Sequence, residues 1–269
     1  MTDALPPILL LGGGKMGGAM LAGWRELGLQ PSVVIDPAPA AAALAGPGIT
    51  VVASADAVPS GFSPAAVVLA VKPQQAGAAL PALARYGAGA VMLSIMAGRT
   101  VSGLQELLGQ GVPIVRAMPN TPAAIRQGIT VACPGPGVTA LQRSLCDRLL
   151  ASVGEVAWVD DERLIDAVTA VSGGGPAYVF LLAELMERAA LEQGIPAALA
   201  RQMARVTVAG SGALLAASTE DAAQLRINVT SPGGTTERAL AVLMADDGWP
   251  ASMSRAIEAA TRRSRELAG

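Results

Sequence analysis

Along the first 160 or so residues, short β-branched apolar runs alternate with Ala-rich segments, the pattern of β-α units wound around a parallel sheet. Runs at 8–11, 33–35, 50–52, 66–71, 91–95 and 113–116 predict six strands, each stopped by Gly, Pro or a polar residue. Two more runs, 129–132 and 156–159, flank a helical segment at 139–150 and are candidates to extend the sheet at one edge. From Glu162 onward apolar positions recur at helical spacing, as in Leu164, Val168 and Val171, then Val179, Leu182 and Met186. The last hundred residues are therefore expected to be all helical. Residues 206–218 carry no charge and are small or apolar on every side, which suits a helix buried in a bundle or in a subunit interface. The expectation is an α/β domain over 1–161, then an all-α domain over 162–269 that forms a homo-oligomer.

Composition narrows the function classes. The chain has 269 residues, 52% hydrophobic and 15% charged, enough for one large domain or two ordinary ones with a real core. A net charge of -2 and 3% aromatic residues leave neither a basic surface for phosphates nor a base-stacking platform, so no nucleic-acid partner is expected. Two cysteines are too few for a disulfide framework, and with no histidine neither a metal site nor histidine acid-base catalysis is expected. The uncharged-looking stretch after Asp36 is broken by Pro37, Pro39, Gly46, Pro47 and Gly48 and cannot be a membrane helix. Met1-Thr2-Asp3 lacks the basic region of a signal peptide, and the expectation is a soluble, cytoplasmic protein with no membrane partner.

The chemistry begins after the first strand, where Gly12-Gly13-Gly14-Lys15-Met16-Gly17 forms a GxGxxG in strand-to-helix context. Gly12 permits the tight turn, Gly14 lets backbone approach a pyrophosphate, and Gly17 lets the helix pack on its strand. The N-terminal domain is accordingly expected to be a Rossmann domain binding NADH or NADPH. Asp36 ends the second strand about 20 residues after Gly17, the spacing at which an acid accepts from the adenosine ribose. A carboxylate there repels a 2′-phosphate, and no Arg or Lys lies between Arg25 and Lys72 to offset it, so NADH is favoured; the other reading of Asp36 is a turn aspartate. Ala70-Val71-Lys72-Pro73, Met96-Ala97-Gly98 and Met118-Pro119-Asn120 follow later strands, where they would line the nicotinamide half of the crevice. Asn120 suits a carboxamide or ribose, while Lys72 reads equally as a surface lysine.

Two motifs punctuate the helical half: Ser172-Gly173-Gly174-Gly175-Pro176-Ala177-Tyr178 and Asn228-Val229-Thr230-Ser231-Pro232-Gly233-Gly234-Thr235-Thr236. Each combines a proline with cap-competent hydroxyls, so both are expected to start helices and aim free N–H groups at an anion such as a carboxylate.

These strings, together with Gln74, Ser94-Ile95 and Arg116-Ala117, resemble the pyrroline-5-carboxylate reductase family nearly end to end. The resemblance implies reduction of 1-pyrroline-5-carboxylate to proline, a helical domain interlocked with a partner subunit, and dimers often assembled into rings. It implies cofactor contacts at Gly12 to Gly17, Asp36, Ser54, Ala70 to Pro73, Met96 to Gly98 and Asn120. Asn228 is implied near both cofactor and substrate, with Gly175, Ser231, Gly233, Gly234, Thr235 and Thr236 around the substrate and Glu162 reaching its nitrogen. The family commonly uses NADPH, and it commonly has Ser where this chain has Gly174 and Asn where it has Lys15. Thr236 is the expected hydroxyl nearest the imine, its other reading being a helix cap. Alternatives are a related cyclic-imine reductase and a non-catalytic nucleotide sensor. A 3-hydroxyacid dehydrogenase would commonly need a lysine in the helical half, and none follows Lys72.

Overall fold

The computed structural model describes residues 4–268; the Met1-Thr2-Asp3 start that bore on targeting lies outside them. Eight strands make one sheet: β1 (Ile8–Leu11), β2 (Ser32–Ile35), β3 (Ile49–Val52), β4 (Ala66–Leu69), β5 (Val91–Ser94), β6 (Ile114–Met118), β7 (Gly128–Pro134) and β8 (Gly154–Trp158). Their order is β3-β2-β1-β4-β5-β6-β7-β8, with every neighbouring pair parallel except β6 with β7. The first six follow the doubly wound order, in which the winding reverses between β1 and β4 and opens a crevice beyond the strand carboxyl ends. The two extra runs do extend one edge. β7 runs antiparallel because the connection from Met118 to Gly128, with one 3-10 turn at Thr121–Ile125, is too short for a crossover helix.

Helices α1 (Lys15–Glu26), α2 (Ala76–Ala79), α3 (Val101–Leu108) and α4 (Ala140–Ala151) accompany the sheet. Successive strand residues face opposite sides, so Leu10, Val34, Val68 and Leu93 share one core with Trp24 and Leu149, and Leu9, Val67, Leu69 and Met92 share the other with Leu80 and Leu104. Burial on both faces explains why these strands read as continuous apolar runs. Two runs extend past their expected ends, the 129–132 run to Pro134 and the 113–116 run to Met118. Arg116 reads as a terminator in the sequence, yet β6 continues through it to Met118, with Arg116 2% exposed.

The remaining helices are α5 (Leu164–Val168), α6 (Gly175–Glu192), α7 (Ala197–Ala217), α8 (Ala222–Asn228), α9 (Thr235–Leu243) and α10 (Trp249–Ala268). The contacts divide the chain into two units, one running to Gly173 and including α10 from Ala260, the other Gly174–Ala259. In the second unit Ala200 and Ala204 are the only buried residues. Phe180, Val206, Leu214 and Leu215 stand 67%, 65%, 57% and 49% exposed. Of the two settings suited to residues 206–218, the interior of a bundle is therefore not found within this chain.

The first helical motif does not start a helix from a loop as expected. Thr169–Gly173 form a π-helical turn after α5, and Gly174 keeps helical dihedrals with φ -79° and ψ -22° before α6. Ser172 Oγ donates back to Val168 O at 3.1 Å, so its hydroxyl is no cap. The reason is local: four residues beyond a helical carbonyl, a hydroxyl bonds back to it. The wide turn also makes room upstream of Pro176, whose missing N–H and bulky ring disfavour a regular helix.

Candidate active site

The loops at the carboxyl ends of the parallel strands build the nucleotide end. Gly12 adopts φ +96°, and a Cβ there would lie 2.8 Å from Ala70 O. A Cβ on Gly17 would meet Gly12 O at 2.1 Å, so α1 sits directly on the turn. At Gly14 a Cβ would meet nothing within 4 Å, and Gly14 is the N-cap of α1 with no side-chain hydrogen bond. Gly12 thus makes the turn and Gly17 the close packing, while Gly14 leaves open space in front of α1. The first N–H groups of α1 have no side-chain cap and suit an anion. Lys15 and Gly14 are exposed and Met16 half-buried at that opening.

The β2 end is joined to this turn. Gly13 N donates to Asp36 Oδ2 at 2.7 Å and Ala38 N donates to Asp36 Oδ1 at 2.9 Å. Both bonds orient the carboxylate, and each oxygen keeps a lone pair for a hydroxyl donor. No cation is paired with Asp36 among the described residues; Arg25 is directed instead to the carbonyl of Leu44. Ser54, exposed after β3, leads a short 3-10 turn.

Nearer the nicotinamide side, Arg99 Nη2 donates to Pro73 O at 2.8 Å, tying the loop after β5 to the loop after β4. Lys72 is exposed, and Met96 is 3% exposed with its N–H 3.3 Å from Ser94 Oγ. Val71 and Pro73 are half-buried, Ala97 is exposed, and Gly98, at φ +66°, lies under Leu267 of α10: a Cβ there would be 3.1 Å from Leu267 Cβ. Asn120 Oδ1 accepts from Ile129 N at 3.0 Å, which spends its oxygen on holding β7 and leaves its amide N–H groups as donors.

Glu162 faces inward on the same unit. Its Oε1 accepts from Arg116 Nη1 at 2.9 Å and from Val101 N, the first residue of α3, at 2.8 Å. Thr100 Oγ1 accepts from Gly103 N at 3.1 Å. The N-terminus of α3 is thus satisfied by a carboxylate and a hydroxyl, whereas that of α1 is open. Arg116 Nη2 lies 3.6 Å from Asp166 Oδ1, and that oxygen accepts from Ser264 Oγ at 2.8 Å. Beside this cluster, burial and then Glu162 push the Cys133 thiol up, with Arg116 acting in the opposite sense. Sequence reasoning left Arg116 without a role; the signal available was a guanidinium inside a run otherwise fit for a buried strand.

In the second unit, α9 begins behind Gly234, an N-cap without a side-chain hydrogen bond. Gly233 has φ +74°, its N–H donates to Glu237 Oε2 at 2.8 Å, and Gly234 N donates to Ser231 O at 3.0 Å. Thr235 and Thr236 are the first two helical residues and are exposed, so neither is the cap. Asn228 donates to Glu220 Oε2 at 3.1 Å and accepts from Gln224 Nε2 at 2.8 Å. Glu220 went unnoticed in the sequence because nothing in its spacing marks it. Gly175 opens α6, with nothing within 4 Å of a Cβ there. Among the described residues no cluster of three or more His, Cys, Asp or Glu side chains could hold a metal ion. A surface hollow of about 540 Å³ lined by Asp56, Phe62, Arg85 and Tyr86 contains none of the expected site residues.

A sheet of this order, with a glycine turn and an uncapped helix at its switch point and an acid closing β2, defines a Rossmann-type dinucleotide-binding oxidoreductase with an added helical region. Residues 162–267 match the family model described as pyrroline-5-carboxylate reductase dimerisation, and residues 7–98 match that described as NADP oxidoreductase, coenzyme F420-dependent. The pyrroline-5-carboxylate reductase of Pseudomonas aeruginosa is 40% identical, over 98% of this chain and 97% of its own. That of Mycobacterium tuberculosis is 36% identical, over 99% and 98%. The solved structure of a pyrroline-5-carboxylate reductase from Coxiella burnetii superposes with a TM-score of 0.89 at 31% identity, covering 100% of both chains. That of Plasmodium falciparum pyrroline carboxylate reductase with NADP bound gives 0.83 at 26%, again covering 100% of both. The chain belongs to the pyrroline-5-carboxylate reductase family.

Proposed function

We propose that this protein reduces 1-pyrroline-5-carboxylate to L-proline, the last step of proline biosynthesis, using a reduced nicotinamide dinucleotide. The observation that carries this reading is a pair of helix starts led in by glycine turns, α1 behind Gly12 to Gly14 and α9 behind Gly233 and Gly234, neither with a side-chain bond at its N-cap. One suits a diphosphate and the other a carboxylate.

The open space at Gly14 and the tight packing of Gly17 on Gly12 fit a dinucleotide. When bound, the reduced nicotinamide supplies the hydride that adds to the imine carbon. Gly12 to Gly17 would hold its diphosphate, Asp36 its adenosine ribose, and Ala70 to Pro73, Met96 to Gly98 and Asn120 its nicotinamide half. The first N–H groups of α9, at Thr235 and Thr236, would receive the substrate carboxylate, with Ser231, Gly233 and Gly234 shaping the turn that leads to them. Thr236 is the hydroxyl assigned to the imine nitrogen, as a donor to its unprotonated form or as the holder of a proton-relaying water, and Asn228 is assigned near both cofactor and substrate. A protonated cyclic imine is itself a good electrophile, so a chain without histidine needs only to bind that form and orient it. Holding two reactants in near-attack geometry is worth about 7 to 11 kcal/mol.

Asp36 supports NADH over NADPH, because among the described residues its carboxylate has no paired cation to offset repulsion of a 2′-phosphate. The exposed apolar faces of α6 and α7 support self-association, since a unit whose buried residues are two alanines has its apolar surface still uncovered. The helical run Leu164–Glu192 is long and apolar enough to cross a membrane, with 17% of that window buried. Its place in the region matched to a dimerisation family favours a partner subunit, not lipid, as the cover.

The test is absorbance at 340 nm with synthetic 1-pyrroline-5-carboxylate and each reduced cofactor in turn. Oxidation of NADH faster than NADPH, with proline as product, is expected. A folded preparation that oxidises neither overturns the proposal.

A further inference from the structure

The buried cluster around Arg116 joins four stretches of one unit. Arg116 on β6 is 2% exposed and paired to Glu162, ahead of α5, at 2.9 Å. Glu162 in turn holds the Val101 amide, where the loop after β5 enters α3. On the other side lies Asp166 of α5, bound by Ser264 of α10, and one turn later Leu267 rests on Gly98 of that same loop. The loop is therefore held at Gly98 and at Val101 by elements that converge on a single guanidinium. A third grip comes from Arg99 on Pro73 O.

This cluster is poorly arranged for stability alone. Arg116 Nε and Nη2 are buried without a hydrogen-bond partner, and the second contact to Asp166, at 3.6 Å, is too long for one. A buried guanidinium left partly unsatisfied is a worse source of stability than apolar packing of similar volume. Its geometric consequence, in contrast, falls on one place, the segment Met96 to Gly98.

We propose that Arg116 is a positioning residue for the cofactor: by holding Glu162 against the Val101 amide, it sets the Met96–Gly98 loop that receives the nicotinamide half. This rests on the assignment of that loop to the cofactor made above. The role concerns the nicotinamide half only, because Gly12 to Gly17 and Asp36, assigned to the other half, share no hydrogen bond or ion pair with the cluster.

That selectivity supplies the test. Full-length protein is titrated with NADH, followed by nicotinamide fluorescence, and with ADP-ribose, which lacks the nicotinamide, followed by calorimetry. Arg116→Met and Glu162→Gln are expected to weaken NADH binding by about 10-fold or more while ADP-ribose binding stays within about twofold. Arg116→Lys, which keeps the charge without the fork, is expected between wild type and Arg116→Met. If Arg116→Met does not fold, Glu162→Gln and Ser264→Ala carry the comparison. Variants that bind NADH as wild type does, or that lose both ligands equally, overturn the proposal. A wild type that binds neither ligand overturns the dinucleotide reading itself.

Discussion

The backbone N–H of Gly13 donates to Asp36 Oδ2 at 2.7 Å, so the glycine turn after β1 and the acid closing β2 form one element. The carboxylate is aimed before any ligand arrives, with its second oxygen held by the Ala38 amide. Asp36→Ser is expected to raise KM for NADH and to narrow the preference over NADPH by about tenfold, roughly 1.4 kcal/mol. Steady-state KM values for both cofactors check this. A wild type that prefers NADPH would count against the role given to Asp36.

Gly14 and Gly17 should fail differently when given a methyl group. In Gly17→Ala the new Cβ would sit 2.1 Å from the Gly12 carbonyl oxygen, a backbone atom that cannot step aside. Thermal unfolding should show a loss of about 1 to 3 kcal/mol from overpacking. Gly14→Ala meets nothing within 4 Å, so its melting temperature should hardly move while its KM for the cofactor rises, the methyl group standing where the diphosphate approaches.

Thr236 occupies the second helical position of α9, with Gly234 as the N-cap. Removal of its hydroxyl therefore removes no cap. Thr236→Ala is expected to lower kcat/KM by an amount equivalent to about 1 to 3 kcal/mol, with a change in folding stability of roughly 1 kcal/mol or less. Parallel losses of turnover and stability would return Thr236 to a structural role.

Burial, reinforced by the Asp147 charge, pushes the Cys146 thiol from 9.0 up to about 12. The folded chain thus holds this proton more tightly than the unfolded chain does. Its contribution to stability is complete below pH 9.0 and is lost as pH climbs toward about 12. Denaturant unfolding over that range should show wild type losing stability more steeply than Cys146→Ala. At pH 8 an alkylating reagent should leave Cys146 unmodified until the protein unfolds.

Where Arg116 pairs with Glu162, the sequence is least informative. The partners are 46 residues apart, and neither lies in a pattern that announces the other. Glu162 read as a residue reaching the substrate nitrogen; in the fold its Oε1 is engaged by Arg116 and by the Val101 amide. The π-helical turn at Thr169–Gly173 was also hidden, because glycine and proline mark a break in regular helix without saying whether a loop or a widened turn fills it.

The amino-acid order alone determined the parallel strands, the glycine turn behind β1, the acid at the end of β2 and the helical second half. These are local properties: side-chain periodicity, backbone freedom at glycine and short-range spacing act between residues close in the chain. Only the tertiary structure decided that β7 runs antiparallel, that Arg116 is buried against two carboxylates, that α3 is already capped while α1 is open, and that α6 and α7 leave apolar faces uncovered. Those outcomes depend on which distant segments come into contact, and burial and charge pairing are set by those neighbours.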